Sequence, residues 1–182
     1  LEKLREAKRS APPTVPTLYA LDVATGKARW QFPPGVAVLN LAYSERRDTL
    51  LVPCRNLITW EGGRWMVEGG GRPNKNAPGR MWGLRGKDGK LVWSVDEAPY
   101  FEPHVLLGDM ILDRYCHSYD LLSGQRNLRT NPLTGEEEPW HFRKGGCNHL
   151  VACPTLVTWR TAFYDLANHS GSMPLLGMNM GC

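Results

Sequence analysis

Apolar and polar positions alternate in short runs along most of the chain, and glycine, proline, asparagine or aspartate closes each run. Leu18-Tyr19-Ala20-Leu21 is one such run. Val36 to Tyr43, Thr49 to Val52, Leu57-Ile58-Thr59-Trp60, Val105 to Leu107, Met110 to Leu112 and Leu156 to Thr158 with Trp159 are others. Runs of this length and period predict strands, and Gly108-Asp109 between two of them predicts a tight hairpin. Helical composition is confined to residues 1–10, and Pro12, Pro13 and Pro16 end that helix. The expected fold is therefore all-β, with a helical and proline-rich extension over residues 1–16.

The runs repeat. L-Y-A-L-D-V-A-T-G-K-A-R-W at 18–30 aligns without a gap on M-W-G-L-R-G-K-D-G-K-L-V-W at 81–93. A weaker copy, H-S-Y-D-L-L-S-G-Q-R-N-L, occupies 117–128, with Leu128 in place of the closing tryptophan. A fourth begins at Tyr164-Asp165-Leu166 and loses register because Gly171 comes two residues late. Each copy predicts a β-hairpin: an alternating strand, a polar turn in which Gly26, Gly89 or Gly124 supplies positive φ, and a return strand. The glycines are 63 and 35 residues apart and Asp120 lies 45 before Asp165, and the last two intervals fit four short strands per repeat, the size of a propeller blade. The long first interval holds an insertion, residues 61–80 (EGGRWMVEGGGRPNKNAPGR), expected to be a surface loop. It lacks the Gly-Lys-Ser/Thr of a phosphate loop.

The hairpin motifs at 18–30 and 81–93 resemble the repeats of the PQQ-like β-propeller family, which includes the quinoprotein alcohol dehydrogenases. The tail is similar to a bacterial subgroup of secreted PQQ-like repeat proteins of unassigned activity, through R-T-N-P-L-T-G-E-E-E-P-W at 129–140, Gly146-Cys147-Asn148, Leu156 to Arg160, Tyr164-Asp165-Leu166 and the closing Gly181-Cys182. The resemblance spans residues 17–182. It implies three to four antiparallel four-stranded blades, an incomplete propeller unless the chain associates with itself or a second chain completes the ring of about eight. It also implies a C-terminal portion of a longer protein, cut at Cys182, and an extracytoplasmic location, periplasmic or secreted. PQQ itself is not expected in this chain alone, since the quinoproteins' adjacent-cysteine pair is missing.

Composition sharpens the picture at a few points. Glycine and proline number 19 and 14 of 182 residues, above the usual share and in keeping with many turns. No run of 18 apolar residues occurs, so no membrane span is expected. The net charge of +4 comes from interspersed residues; the densest basic spots, Lys3 to Arg9, Arg46-Arg47 and Arg143-Lys144, lack the stacking aromatics of a nucleic-acid surface.

Five cysteines, Cys54, Cys116, Cys147, Cys153 and Cys182, are disulfide candidates, and their odd number leaves at least one thiol. A strand over 147–153 places Cys147, His149 and Cys153 on one face. Cys147 and His149, with His141 or His117 nearby, are candidate ligands for zinc, and His169 with Met173, Met178 and Met180 for copper. Cys147 with His149, or His117 with Ser118, and Asp120 or Asp165, are the candidate nucleophile–base pairs. Glu136-Glu137-Glu138 is expected to be a solvated turn. Trp60, Trp65, Trp82, Trp140 and Trp159 are candidates for a sugar-stacking platform, and Trp30 and Trp93 for blade core. Because the repeat residues all have structural work, the chain is expected to be a non-catalytic module that binds a protein or carbohydrate partner. The alternative is an enzyme, either part of a quinone-dependent oxidoreductase or a Cys/His metal-dependent hydrolase.

Overall fold

A computed structural model of the chain describes residues 17–33, 38, 40–54, 58–61, 64–67, 79–98, 104–113, 115–131, 133–142, 150–159, 162–168 and 170–174; for 58–61, 64–67, 97, 98 and 170–174 it describes the backbone alone. The expected N-terminal helix lies outside the described residues. The strands are β1 (Leu18–Leu21), β2 (Ala28–Phe32), β3 (Ala42–Ser44), β4 (Thr49–Cys54), β5 (Ile58–Glu61), β6 (Arg64–Val67), β7 (Gly79–Arg85), β8 (Leu91–Ala98) and β9 (Val105–Leu107). They continue with β10 (Met110–Leu112), β11 (Ser118–Asp120), β12 (Leu128–Thr130), β13 (Glu137–Pro139), β14 (Val151–Cys153), β15 (Leu156–Trp159), β16 (Ala162–Asp165) and β17 (Ser170–Pro174). Every regular element among the described residues is a strand, and every pairing is antiparallel.

The strands form a series of up-and-down sheets in chain order. The hairpin β1-β2 comes first, followed by a four-stranded sheet β3-β4-β7-β8, a three-stranded sheet β9-β10-β11 and a four-stranded sheet β14-β15-β16-β17. Each packs face to face on the next, and successive residues of the middle strands serve opposite interfaces because side chains alternate across a strand. Val52 and Trp82 join the core shared with β1-β2, where Leu18 and Phe32 meet them. Their neighbours Leu51 and Met81 point the other way, into a core with Ile111 and Leu121. Leu112, next to Ile111, belongs to a third core with Val157, Trp159 and Tyr164. These strands therefore read as continuous apolar runs. Each fully buried leucine or isoleucine among them is worth about 1.5–3 kcal/mol.

The sheets fan outward from their first strands: β9 lies against β3 on one side and against β14 on the other. This is the arrangement of propeller blades. Away from the first strands, tryptophan fills the space between one sheet and the next. Trp93 of β8 donates its Nε1–H to Leu121 O in the next sheet's turn (2.8 Å), and Trp30 of β2 does the same to Gly86 O (2.7 Å). The indoles lie flush on the turn glycines; a Cβ on Gly124 would stand 2.5 Å from Trp93, and one on Gly89 2.6 Å from Trp30.

The turns confirm the repeat at atomic level. Gly26, Gly89 and Gly124 all have positive φ, between 67° and 71°, and each donates its N–H four residues back, to Asp22, Arg85 and Asp120. In the last three sheets an equivalent bond ties the final turn to the first: Gly86 N–H to Asp48 O, Leu121 N–H to Asp109 O and Leu166 N–H to Thr155 O, each 2.8 Å. Asp120 Oδ1 caps its own turn by accepting from Leu122 and Ser123. Arg85 holds the matching place in the second copy, and there Asp48 reaches across to accept from Lys87 N–H (3.0 Å). The fourth turn, without glycine, is held by Asp165 Oδ1, which accepts from Ala167 and Asn168, and its strands slip register between Phe163 and Asp165.

The insertion differs from its expected form. The sequence predicts a surface loop over residues 61–80, yet Glu61 closes β5, residues 64–67 form β6 paired with it, and Gly79 and Arg80 already belong to β7. The reason is visible in the sequence: Gly62-Gly63 between two β-prone runs is a two-residue hairpin signal.

Candidate functional site

The third sheet departs from its neighbours in its last strand. After the turn at Asp120, Arg126 pairs with Tyr119 and Asn127 N–H donates to Ser118 O (3.0 Å), as a fourth strand should. The chain then leaves the sheet, forms the hairpin β12-β13, and returns. Ser118 N–H donates to Trp140 O and Phe142 N–H to Cys116 O, which restores the pairing at His117 and His141. Trp140 N–H to Asn127 O (2.8 Å) closes the base of the excursion. The fourth strand is thus in two pieces with a finger, residues 128–139, looped out between them.

The finger is a well-made hairpin. Its turn at Asn131–Glu136 repeats the motif of the blade turns, with Gly135 at φ 74° and Asn131 Oδ1 accepting from Leu133 and Thr134. Arg129 grips Glu138 across the strands through Nε (2.8 Å) and Nη2 (2.7 Å), with Asn131 Nδ2 as a second donor. These bonds hold the Glu138 carboxyl below its usual range, Arg129 contributing most. The three adjacent glutamates are therefore not equivalent: Glu138 is fixed, whereas Glu136 and Glu137 face solvent. Leu133 at the tip is 94% exposed and Leu128 54%.

A groove of about 870 Å³ lies between the finger, the third sheet and the fourth. Leu107, Met110, Trp140, Tyr164 and Leu166 give it apolar walls, Leu128 and Arg129 form the finger side, and Asp109 and Asp120 stand at the turn end. Trp140 meets Tyr164 edge to face (5.0 Å, 75°), so both rings are fixed. Asp109 accepts from Arg46 Nη2 (2.8 Å) and from Arg47, which reach over from the second sheet. Arg47 above all, opposed by partial desolvation, lowers the Asp109 carboxyl to about 2. Two of the densest basic positions thus share one acid, which offsets one of their two charges.

At the other end of the third sheet is a polar network. Asp113 is wholly buried; its Oδ1 accepts from Tyr115 N–H (2.7 Å) and His117 N–H (2.9 Å), and its Oδ2 from His117 Nδ1 (2.9 Å) and Tyr119 O–H (3.4 Å). Burial, with Asp113 next in effect, raises the Tyr119 hydroxyl. His104, just before β9, is 6% exposed, and among the described residues neither ring nitrogen has a hydrogen-bond partner. Desolvation takes its imidazole down to about 4, against a weaker upward pull from Asp113.

The sequence-predicted site residues disperse. His141 is exposed, with Nδ1 3.2 Å from Pro139 O, and it pairs with His117. Cys147, His149 and Cys182, like His169, Met178 and Met180, lie outside the described residues, which contain no group of three His, Cys, Asp or Glu able to hold a metal. His117 and Ser118 are not assembled as a pair: adjacent strand residues face opposite ways, and the buried Ser118 Oγ accepts from Asn127 Nδ2 (2.6 Å). Asp120 and Asp165 cap turns.

Cys54, Cys116 and Cys153 carry no disulfide. Cys54 and Cys116 sit in different cores and Cys153 is exposed, so these three do not meet. Trp82, Trp140 and Trp159 are core residues, 8%, 5% and 1% exposed, so they do not form a joint surface platform, and of the three Trp140 alone lines the groove. Trp93 is core as expected. The split strand and His104 escaped sequence reasoning. The first left a trace, since N-P-L-T-G-E at 131–136 repeats the turn pattern of D-V-A-T-G-K at 22–27.

No protein-family model matches the chain, and no curated protein matches it. Among solved structures the chain is similar to BamB from Moraxella catarrhalis, at 18% sequence identity and a TM-score of 0.42. The similarity covers 86% of this chain and 46% of that one, so the chain spans less than half the length of that protein.

Proposed function

We propose that the chain is a non-catalytic, extracytoplasmic propeller-type module of the PQQ-like repeat kind, and that a protein or carbohydrate partner docks in the groove beside the finger. The observation that carries the reading is the finger itself. It adds nothing to the three cores, holds Leu133 and Leu128 in water at a hydrophobic cost, and walls a cavity of about 870 Å³. An ordered loop that exposes apolar surface beside a cavity is the usual form of a binding site. The extracytoplasmic location rests on the resemblance of the hairpin repeats.

Calorimetric titration with soluble oligosaccharides and extended apolar peptides tests the proposal. The expected result is saturable binding that Leu128→Asp and Arg129→Ala each weaken tenfold or more while the far-UV spectrum stays native. Turnover of a substrate that disappears when Cys147 or His149 is replaced would favour the hydrolase reading instead.

A further inference from the structure

We propose that His117 and His141 form a surface site for a divalent first-row transition-metal ion, copper(II) first, with nickel(II) and zinc(II) after it. The two residues face each other where the split fourth strand rejoins the third sheet. Their bridge is flanked by Ser118 N–H to Trp140 O and Phe142 N–H to Cys116 O, both 3.3 Å. That pattern defines a non-hydrogen-bonded antiparallel pair, the kind in which opposed side chains come closest, with Cβ atoms about 4.5–5.5 Å apart on one face. The imidazoles are thus placed side by side by the backbone.

Their hydrogen bonds fix which nitrogen is free. His117 Nδ1 lies 2.9 Å from the Asp113 carboxylate and His141 Nδ1 lies 3.2 Å from Pro139 O. Both partners are oxygens that can only accept, so Nδ1 carries the proton in each neutral ring and Nε2 keeps its lone pair. A carboxylate or carbonyl on the far nitrogen is the arrangement that orients metal-bound histidines. Asp113 is itself wholly buried and held by backbone N–H groups, which makes it a rigid support. The His117 side chain is 31% exposed and His141 is open to solvent, so an ion can reach both and keep water in its remaining positions. Two imidazoles with water suit copper, nickel and zinc, and the general affinity order places copper ahead. The site lies at the opposite end of the third sheet from Asp109 and Asp120 and is independent of the groove.

The test uses the tag-free full chain, titrated with copper(II) or zinc(II) in a non-chelating buffer. One equivalent of copper should bind, and its electron paramagnetic resonance spectrum should show coupling to two imidazole nitrogens. His141→Ala, at an exposed position, should weaken binding at least tenfold, and His117→Gln likewise. Asp113→Asn, which keeps its oxygen on the backbone N–H groups but turns an amide NH2 toward His117 Nδ1, should cost at least tenfold as the loss of the supporting carboxylate. Copper bound as tightly by His141→Ala as by the unaltered chain, coupling to fewer than two nitrogens, or binding lost only when Cys147 is replaced would each overturn the assignment.

Discussion

Gly124→Ala measures how much the tryptophan between the second and third sheets contributes. Gly124 and Gly26 occupy equivalent turn positions with nearly the same backbone, φ 71° and 67°. A side chain at either pays for the left-handed conformation, about 1 kcal/mol. Their surroundings differ. Nothing lies within 4 Å of a Cβ at Gly26, whereas at Gly124 it would meet Trp93 Cε3 at 2.5 Å and Val95 Cγ2 at 2.9 Å. Trp93 has no room to retreat, because a Cβ on Gly83 at its other face would already be 2.2 Å away. The indole must tilt out, losing its bond to Leu121 O, about 1 kcal/mol, with a further penalty of about 1–3 kcal/mol for overpacking.

The expected cost is therefore about 3–5 kcal/mol for Gly124→Ala and about 1 kcal/mol for Gly26→Ala. Urea unfolding of the full chain, followed by far-UV circular dichroism and tryptophan fluorescence, gives both. Trp93→Phe in the Gly124→Ala background should recover part of the loss, a coupling of about 1–2 kcal/mol. A difference between the two glycines below about 1 kcal/mol would refute the interlock.

Three further outcomes are expected. In the unfolded chain His104 takes a proton near the ordinary 6.5, but in the folded chain only near 4. The unfolded state thus binds the proton first, and stability should fall as pH drops from 6.5 toward 4 and level off below, a dependence that His104→Leu removes from urea midpoints. Native alkylation with mass mapping should label Cys153, whose thiol is exposed and lowered by the Thr155 N–H. Cys54, pushed up to about 12 by burial, and the buried Cys116 should react only after unfolding. Asp113→Ala should destabilise by about 2–3 kcal/mol, since it strands the part-buried N–H groups of Tyr115 and His117, whereas Asp113→Asn should cost less.

The blades were legible because each depends on local signals. The apolar run Thr49 to Val52, the Gly108-Asp109 turn and the hairpins at 18–30 and 81–93 all appear where patterning put them, and Leu156 to Trp159 is a strand to its last residue. The finger was not, although its turn repeats the blade motif, because a hairpin within a strand has the same local pattern as a hairpin between strands. Only the non-local bonds of Trp140 and Phe142 back to Asn127 and Cys116 tell the two apart. The tryptophans show the same limit. Exposed platform and buried interlock are identical in composition, and Trp82, Trp140 and Trp159 became core because a second sheet covers them.

The division of labour within the fan follows from its turns. Wherever a glycine turn receives the preceding tryptophan, as at Gly89 and Gly124, the space above it is filled and its carbonyls are taken. Those turns can carry little else. Chemistry that varies must therefore sit where the repeat is interrupted, and the described residues hold two such places: the β5-β6 hairpin between β4 and β7, and the finger within the fourth strand of the third sheet. The finger creates both candidate sites at once. Its flank encloses the groove on the turn side, and its return strand sets His141 opposite His117 at the far end. Removing residues 129–138 and joining the two halves of the strand should thus preserve the three cores and abolish partner binding, while metal affinity would depend on whether His141 keeps its place across from His117.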